Sequence, residues 1–273
     1  MKKYTLRTLI LEIALIIAGL IFLIPLLVLV AVALQTPGAP TNPFGFSWPL
    51  NFGNFSTAWT ESGMGPAMLN SVVITTITVF LVIVLSSTAA YTITRITRRW
   101  SRGVFYAFLV GFLLPGQLAV VPLYLQFSSL GVVGSIVPVI LIDVSSFLPF
   151  AIFLYSAFLR DLPKDYEEAA RIDGAVPWRI FVTVVFPLLR PITGTIIILS
   201  ALSTWNDFFN PLLYLTGSEN STAPLTVYSF VGQYSAQWPL VFCALIISII
   251  PILIAYFFMQ RFIIRGFASG LKG

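Results

Sequence analysis

"EEAARIDGAVPWRIFVTVVFPLLRP", Glu167 to Pro191, is a polar, helix-forming insert in a chain otherwise composed for hydrocarbon. Of the 273 residues 58% are hydrophobic and 9% charged, yet ten of the 15 basic and 10 acidic residues lie between Arg160 and Arg190. The mean hydropathy of +0.96 belongs to a polytopic membrane protein. The insert therefore marks a surface segment between spans, and the rest of the fold can be read outward from it.

A span needs about 20 mostly apolar residues, and six runs qualify: Leu9–Leu34, Leu69–Tyr91, Val104–Leu125, Ser135–Leu159, Ile192–Leu215 and Leu240–Phe262. In a bilayer the backbone must satisfy its own hydrogen bonds, so these runs are predicted to be helices. Basic residues favour the cytoplasmic side in short loops. With the amino terminus inside, all 15 fall there: Lys2, Lys3 and Arg7; Arg95, Arg98, Arg99 and Arg102; Arg160, Lys164, Arg171, Arg179 and Arg190; Arg261, Arg265 and Lys272. Glu61 and Glu219 are the only charges outside. The prediction is an all-α polytopic protein of six transmembrane helices with both termini cytoplasmic. The same asymmetry accounts for the net charge of +5, and nothing points to nucleic acid.

Basic residues before the first run and Ala31-Val32-Ala33 after it also suit a signal peptide. Signal cores, however, run about 7–15 apolar residues, and this run is longer. The chain has no His and a single Cys, Cys243 within the last run. That excludes a disulfide framework, Cys/His metal sites and a His-based triad. No phosphate-cradling GxxxxGK[ST] motif is present, so any ATP used must be bound by another subunit.

Outside, the Pro- and Gly-rich segment from Gln35 to Met68 is predicted to turn, not to form long helices, with Trp48 and Trp59 at the headgroup level. Residues 126–134 make a tight hairpin between spans three and four, and the polar segment 216–239 is long enough to reach a docked partner. Prolines at 25, 115, 122, 138, 149, 211 and 251 lie in the runs, where kinks beside a cavity and ordinary packing irregularity are both open readings. No internal repeat is evident.

Within the insert, Pro163 suits the first turn of a helix, and acidic residues follow it at the favourable end. Asp173-Gly174 stops that helix because glycine takes positive φ without strain. Pro177 restarts a second helix, and Pro187 and Pro191 lead into the fifth span. A helix, a tight turn and a second helix are expected on the cytoplasmic face.

This segment resembles the EAA loop of the membrane subunits of type I ATP-binding-cassette importers. Glu168-Ala169-Ala170, then Gly174, then Val184 and Phe186-Pro187 fall at the loop's spacings, with Val184 standing for Ile and Phe186 for Leu. The tail "QRFIIRGFASGLKG" (260–273) and "STWNDFFNPLLYL" (203–215) are similar to the smaller permease of carbohydrate importers of the maltose type. The resemblance implies that the loop, about 160–190, docks into an ATPase subunit, with Glu168, Ala169, Ala170, Asp173, Gly174, Val184, Phe186 and Pro187 as coupling residues. It implies a type I importer core over 69–262, preceded by a terminus, helix and outside loop (1–68) and followed by a cytoplasmic tail (263–273). It also implies an ATPase dimer carrying ATP and Mg, a second, longer permease, an extracytoplasmic solute-binding protein, membrane lipid, and a bacterial or archaeal cell membrane. No cofactor, metal or catalytic residue is expected on this chain. A permease for an amino acid, phosphate or polyol is the neighbouring alternative; a membrane scaffold or sensor is the more distant one.

Ionisable residues inside spans face a cavity or a partner, which singles out Asp143 and Asp207. On a continuous fifth helix Asp207 lies about 22 Å from its start at 1.5 Å per residue. Asn206 and Asn210, four apart, would then share its face, with Trp205, Phe208 and Phe209 around them. Amides, carboxylates and rings suit a sugar; they equally suit interhelical hydrogen bonds between two permeases.

Overall fold

The computed structural model describes residues 5–38, 42, 45, 48–95, 99–231 and 237–270; for Arg99, Met259 and residues 261–270 it describes the backbone alone. The expected cytoplasmic charges Lys2, Lys3, Arg98 and Lys272 lie outside the described residues, as do the side chains of Arg99, Arg261 and Arg265. The helices are α1 (Leu6–Ala33), α2 (Gly53–Glu61), α3 (Met64–Arg95), α4 (Arg99–Leu113), α5 (Val120–Ser129), α6 (Val137–Asp161), α7 (Asp165–Ile172), α8 (Pro177–Ile180), α9 (Phe186–Leu188), α10 (Arg190–Trp205), α11 (Phe209–Leu215), α12 (Ala223–Val227) and α13 (Trp238–Gly270). A π-helical turn, Phe181–Val185, joins α8 to α9.

Four of these helices, Leu6–Ala33, Met64–Arg95, Val137–Asp161 and Trp238–Phe258, are long and apolar enough to cross a membrane alone. They match the first, second, fourth and sixth predicted spans. The third is not continuous. Trp100–Leu113 and Gly116–Ser129 meet at 88°, because Pro115 takes an extended ψ of 120° and withholds an amide hydrogen. The fifth also departs from prediction: α10 ends at Trp205 and α11 begins at Phe209. A second bend, of 76°, separates Pro177–Leu188 from Arg190–Trp205 and sets the insert's second helix apart from the fifth span. In the outside segment the turn-rich prediction is corrected by the nine-residue α2, and α3 begins at Met64, ahead of the expected Leu69.

The chain divides into two compact units. In the first, Met1–Gly65 with Leu225–Ile250, most α1 side chains before Ala31 are exposed, as a lipid-facing helix requires. Beyond α1, buried Asn54 donates from Nδ2 to the Ala33 carbonyl at 2.7 Å and the Gln35 carbonyl at 2.8 Å, and the Cys243 thiol donates to Ala33 at 3.3 Å. These bonds satisfy carbonyls that the end of α1 leaves open.

In the second unit, Pro66–Pro224 with Pro251–Gly273, α6 packs against α4, α10 and α11. Tyr155 Oη and Thr193 Oγ1, 2.9 Å apart, join α6 to α10, and buried Ser86, Ser156 and Ser200 let backbones approach. The segment after α11 is tied down at both sides. Asn220 Nδ2 donates to Gly134 at 2.8 Å, Asn70 Nδ2 to Ser221 at 3.0 Å, and the Ala223 amide to Ser71 Oγ at 2.9 Å.

Asn54→Ala removes two bonds from buried carbonyls and should destabilise the protein by roughly 1–3 kcal/mol. Thermal unfolding in detergent reads this; an unchanged midpoint would show that water serves these carbonyls as well.

Candidate functional site

Helix α7 starts with Asp165, Glu167 and Glu168 in its first turn and carries Arg171 in its last, the charge order its dipole favours. It closes on Gly174 at φ +81°. The Gly174 amide donates to Arg171 at 3.1 Å and the Ala175 amide to Ala170 at 3.0 Å, the paired bonds of a Schellman stop. A Cβ on Gly174 would meet nothing within 4 Å, so the demand for glycine at this position comes from the backbone. Glu168, Ala169 and Asp173 are exposed, and Ala170 is half-buried. Around them stand Tyr166, Ile172 (87% exposed), Val176 and Trp178, large apolar side chains open to solvent on a polar segment. Val184, Phe186 and Pro187 lie half-buried beyond α8, and α7 packs against the π-helical turn they adjoin.

The adjacent glutamate does something else. Successive helical residues point about 100° apart, so with Glu168 outward Glu167 turns inward, and it is 4% exposed. Its Oε1 accepts from Arg95 Nε at 2.6 Å and its Oε2 from Tyr91 Oη at 3.1 Å. Arg95 also donates to the carbonyls of Leu159 at 3.0 Å and Leu162 at 3.3 Å, at the end of α6. Tyr91 and Phe181 rings lie 5.1 Å apart. Sequence reasoning counted Arg95 only as a topology charge and missed Glu167. The available signal was an arginine ending a long uncharged helix and two glutamates that cannot share one face.

Of the residues singled out inside the spans, Asp143, Asp207 and Asn210 are brought together. Asn210 Nδ2 donates to Asp143 Oδ1 at 3.2 Å, and Asp207 lies within electrostatic reach of Asp143. Asp207 Oδ1 accepts from the amides of Phe209 at 3.0 Å and Asn210 at 3.3 Å, so it caps α11. The Oδ2 atoms of both aspartates are buried without a hydrogen-bond partner among the described residues. The helix break overturns the shared face expected of Asn206 and Asn210. Asn206 is exposed with its amide on Leu202 at 2.8 Å, and Trp205 is buried at 5% exposure. Asn210 instead lines a cavity of about 450 Å³ at the Pro115 bend, with Gln117, Ser145, Ser146 and Tyr214 as its other hydrogen-bonding side chains and Phe112 and Phe209 as rings. None of these but Asn210 and Phe209 stood out in the sequence, because serine and glutamine in a span carry no charge signal.

Residues 82–268 match the model of the binding-protein-dependent transport system inner membrane component family. The chain belongs to that family: it is a multi-pass membrane component of a transport system, not an enzyme. The melibiose/raffinose/stachyose import permease protein MelC of Bacillus subtilis (strain 168) is 33% identical over 252 residues, covering 92% of this chain and 91% of the relative. The fold is similar to that of a bacterial ABC transporter involved in the import of the acidic polysaccharide alginate, with a TM-score of 0.80, 20% identity, and 96% and 99% of the two chains covered. A bacterial alginate ABC transporter in complex with alginate pentasaccharide-bound periplasmic protein aligns with a TM-score of 0.66 at 14% identity, covering 92% and 93%.

Asp207→Asn retains a capping oxygen and should leave the α11 cap intact, whereas Asp207→Ala should cost about 1 kcal/mol. Thermal unfolding of both variants decides: equal destabilisation would mean that the charge, not the cap, holds the break.

Proposed function

We propose that this chain is a permease subunit of an ATP-driven oligosaccharide importer, forming half of the translocation pathway and coupling it to a separate ATPase. The observation that carries the reading is the solvent-facing helix–turn–helix, in which Glu168, Ala169, Asp173 and Gly174 lie exposed among bare Tyr166, Ile172, Val176 and Trp178. Short side chains permit close approach, the acidic groups supply directional contacts, and the apolar rim supplies area to bury. Its partners in this reading are an ATPase dimer holding ATP and Mg, a second, longer permease and an extracytoplasmic solute-binding protein. The named relatives move or bind saccharides, which supports a carbohydrate cargo. The cavity at the Pro115 bend suits one: amides and hydroxyls orient a sugar's hydroxyls, and Phe112 and Phe209 can cover its apolar face. Asp143 Oδ1 accepts from the Asn210 side-chain amide and Asp207 Oδ1 from its backbone amide, and together they hold Asn210 in place at the cavity. The distribution of Lys and Arg supports a cell membrane location with both termini cytoplasmic.

Gly174→Val places a β-branched residue at positive φ, a strain of about 1–3 kcal/mol. The variant should insert and fold, yet lose co-purification of the ATPase and ATP-driven uptake. Wild-type levels of both would remove the loop from the coupling role. For topology, in a Cys243→Ala background, Glu61→Cys and Glu219→Cys should react with an impermeant thiol reagent on intact cells and Lys164→Cys only after permeabilisation. Labelling of Lys164→Cys on intact cells would invert the orientation.

A further inference from the structure

We infer that α3 is a rod joining the docking helix to the loop at the opposite end of the unit, with Arg95 and Glu167 as the positioning pair that fastens it. The inference rests on the permease reading above. Helix α7 is joined through the chain to α6 and α8, and α3 reaches it through side chains. The contacts are the Arg95–Glu167 ion pair at 2.6 Å and the Tyr91–Glu167 bond at 3.1 Å, and the Tyr91 ring also meets Phe181 of the π-helical turn against which α7 packs. The pair is largely removed from water, with side chains 12% and 6% exposed. A buried pair of this kind adds little stability over an apolar replacement, so its contribution is direction: Arg95 cannot hold Glu167 and the Leu159 and Leu162 carbonyls unless α3, α6 and α7 keep one relative placement.

From this fastening α3 runs without proline or glycine from Arg95 back to Asn70, about 38 Å at 1.5 Å per residue. At that end Asn70 holds the Ser221 carbonyl and Ser71 the Ala223 amide, and Asn220 fixes the same loop to Gly134 ahead of α6. An α-helix is stiff along its axis. A displacement of α7 is therefore delivered to residues 220–223, within the outside segment that is long enough to reach a docked partner. Packed elements with few alternative arrangements transmit such shifts. The Pro115 bend in α4–α5 and the break at 206–208 leave those two spans unsuited to the task.

The test uses the complex co-purified with its ATPase in lipid nanodiscs, in a Cys243→Ala background, with Glu219→Cys as the reporter. Its rate of reaction with a maleimide is measured with and without a non-hydrolysable ATP analogue and Mg. In the parent the nucleotide should change this rate by about fivefold or more, the low end for coupled sites. Glu167→Gln and Arg95→Gln should erase the nucleotide effect while ATPase recovery and basal hydrolysis stay at parental levels, and Arg95→Lys, which keeps the ion pair, should retain part of it. Asn70→Ala with Ser71→Ala should erase it from the far end. A nucleotide effect that survives Glu167→Gln or the Asn70/Ser71 pair overturns the rod. So does its absence in the parent, or a loss that only tracks reduced ATPase recovery, since the pair would then merely hold the fold. If the parent recovers no ATPase at all, it is the permease reading that fails, and with it the basis for the rod.

Discussion

Hydrocarbon offers a polypeptide no hydrogen-bond partners, and the breaks in the third and fifth spans of this protein are shaped by that constraint. The chain breaks at Pro115 and at 206–208, and in both places the freed groups are served locally. At the first, the Leu118 amide returns to Pro115 at 3.1 Å; at the second, Asp207 supplies an oxygen to two amides of α11. Irregular backbone at membrane depth is tolerated where it lines a cavity, and the Pro115 bend adjoins the one that Gln117, Ser145 and Asn210 line. Asp207 thus has a backbone role that a reading of it as a cargo ligand alone would overlook.

The segment from α7 to α8 obeys the same accounting with different means. Arg95 satisfies two carbonyls at the end of α6 while neutralising Glu167, so one cation serves three elements. Neighbouring glutamates face opposite ways: Glu168 is exposed, and Glu167 is buried against Arg95 and Tyr91.

Much of this was legible in the sequence. The first, second, fourth and sixth spans follow from apolar run length, and the two surface helices with their Gly174 turn follow from Pro163, Asp173-Gly174 and Pro177, because propensity and backbone geometry act over a few residues. The breaks in the third and fifth spans were not legible as such. Proline in a membrane helix either kinks or is accommodated according to what neighbouring helices supply, and Asp207 could as well have sat in mid-helix. The pairing of Arg95 with Glu167 links residues 72 apart in sequence, a distance over which no periodicity reaches. The cavity escaped for a related reason: its polar lining comes from the α4–α5 bend, α6 and α11, and only tertiary packing brings those side chains to one place.

Helix α1 carries a consequence for the lipid. Its 28 residues extend about 42 Å at 1.5 Å per residue, against a hydrocarbon thickness of about 30 Å. Its first turns carry Arg7, Thr8 and Glu12, and the 21 uncharged residues from Ile13 to Ala33 extend about 32 Å, so the apolar part of the helix fits the hydrocarbon and the rest reaches into the headgroup layer. A thicker bilayer would draw Glu12 toward hydrocarbon and a thinner one would leave it in the headgroups, so this one carboxylate sets the lipid thickness that α1 suits.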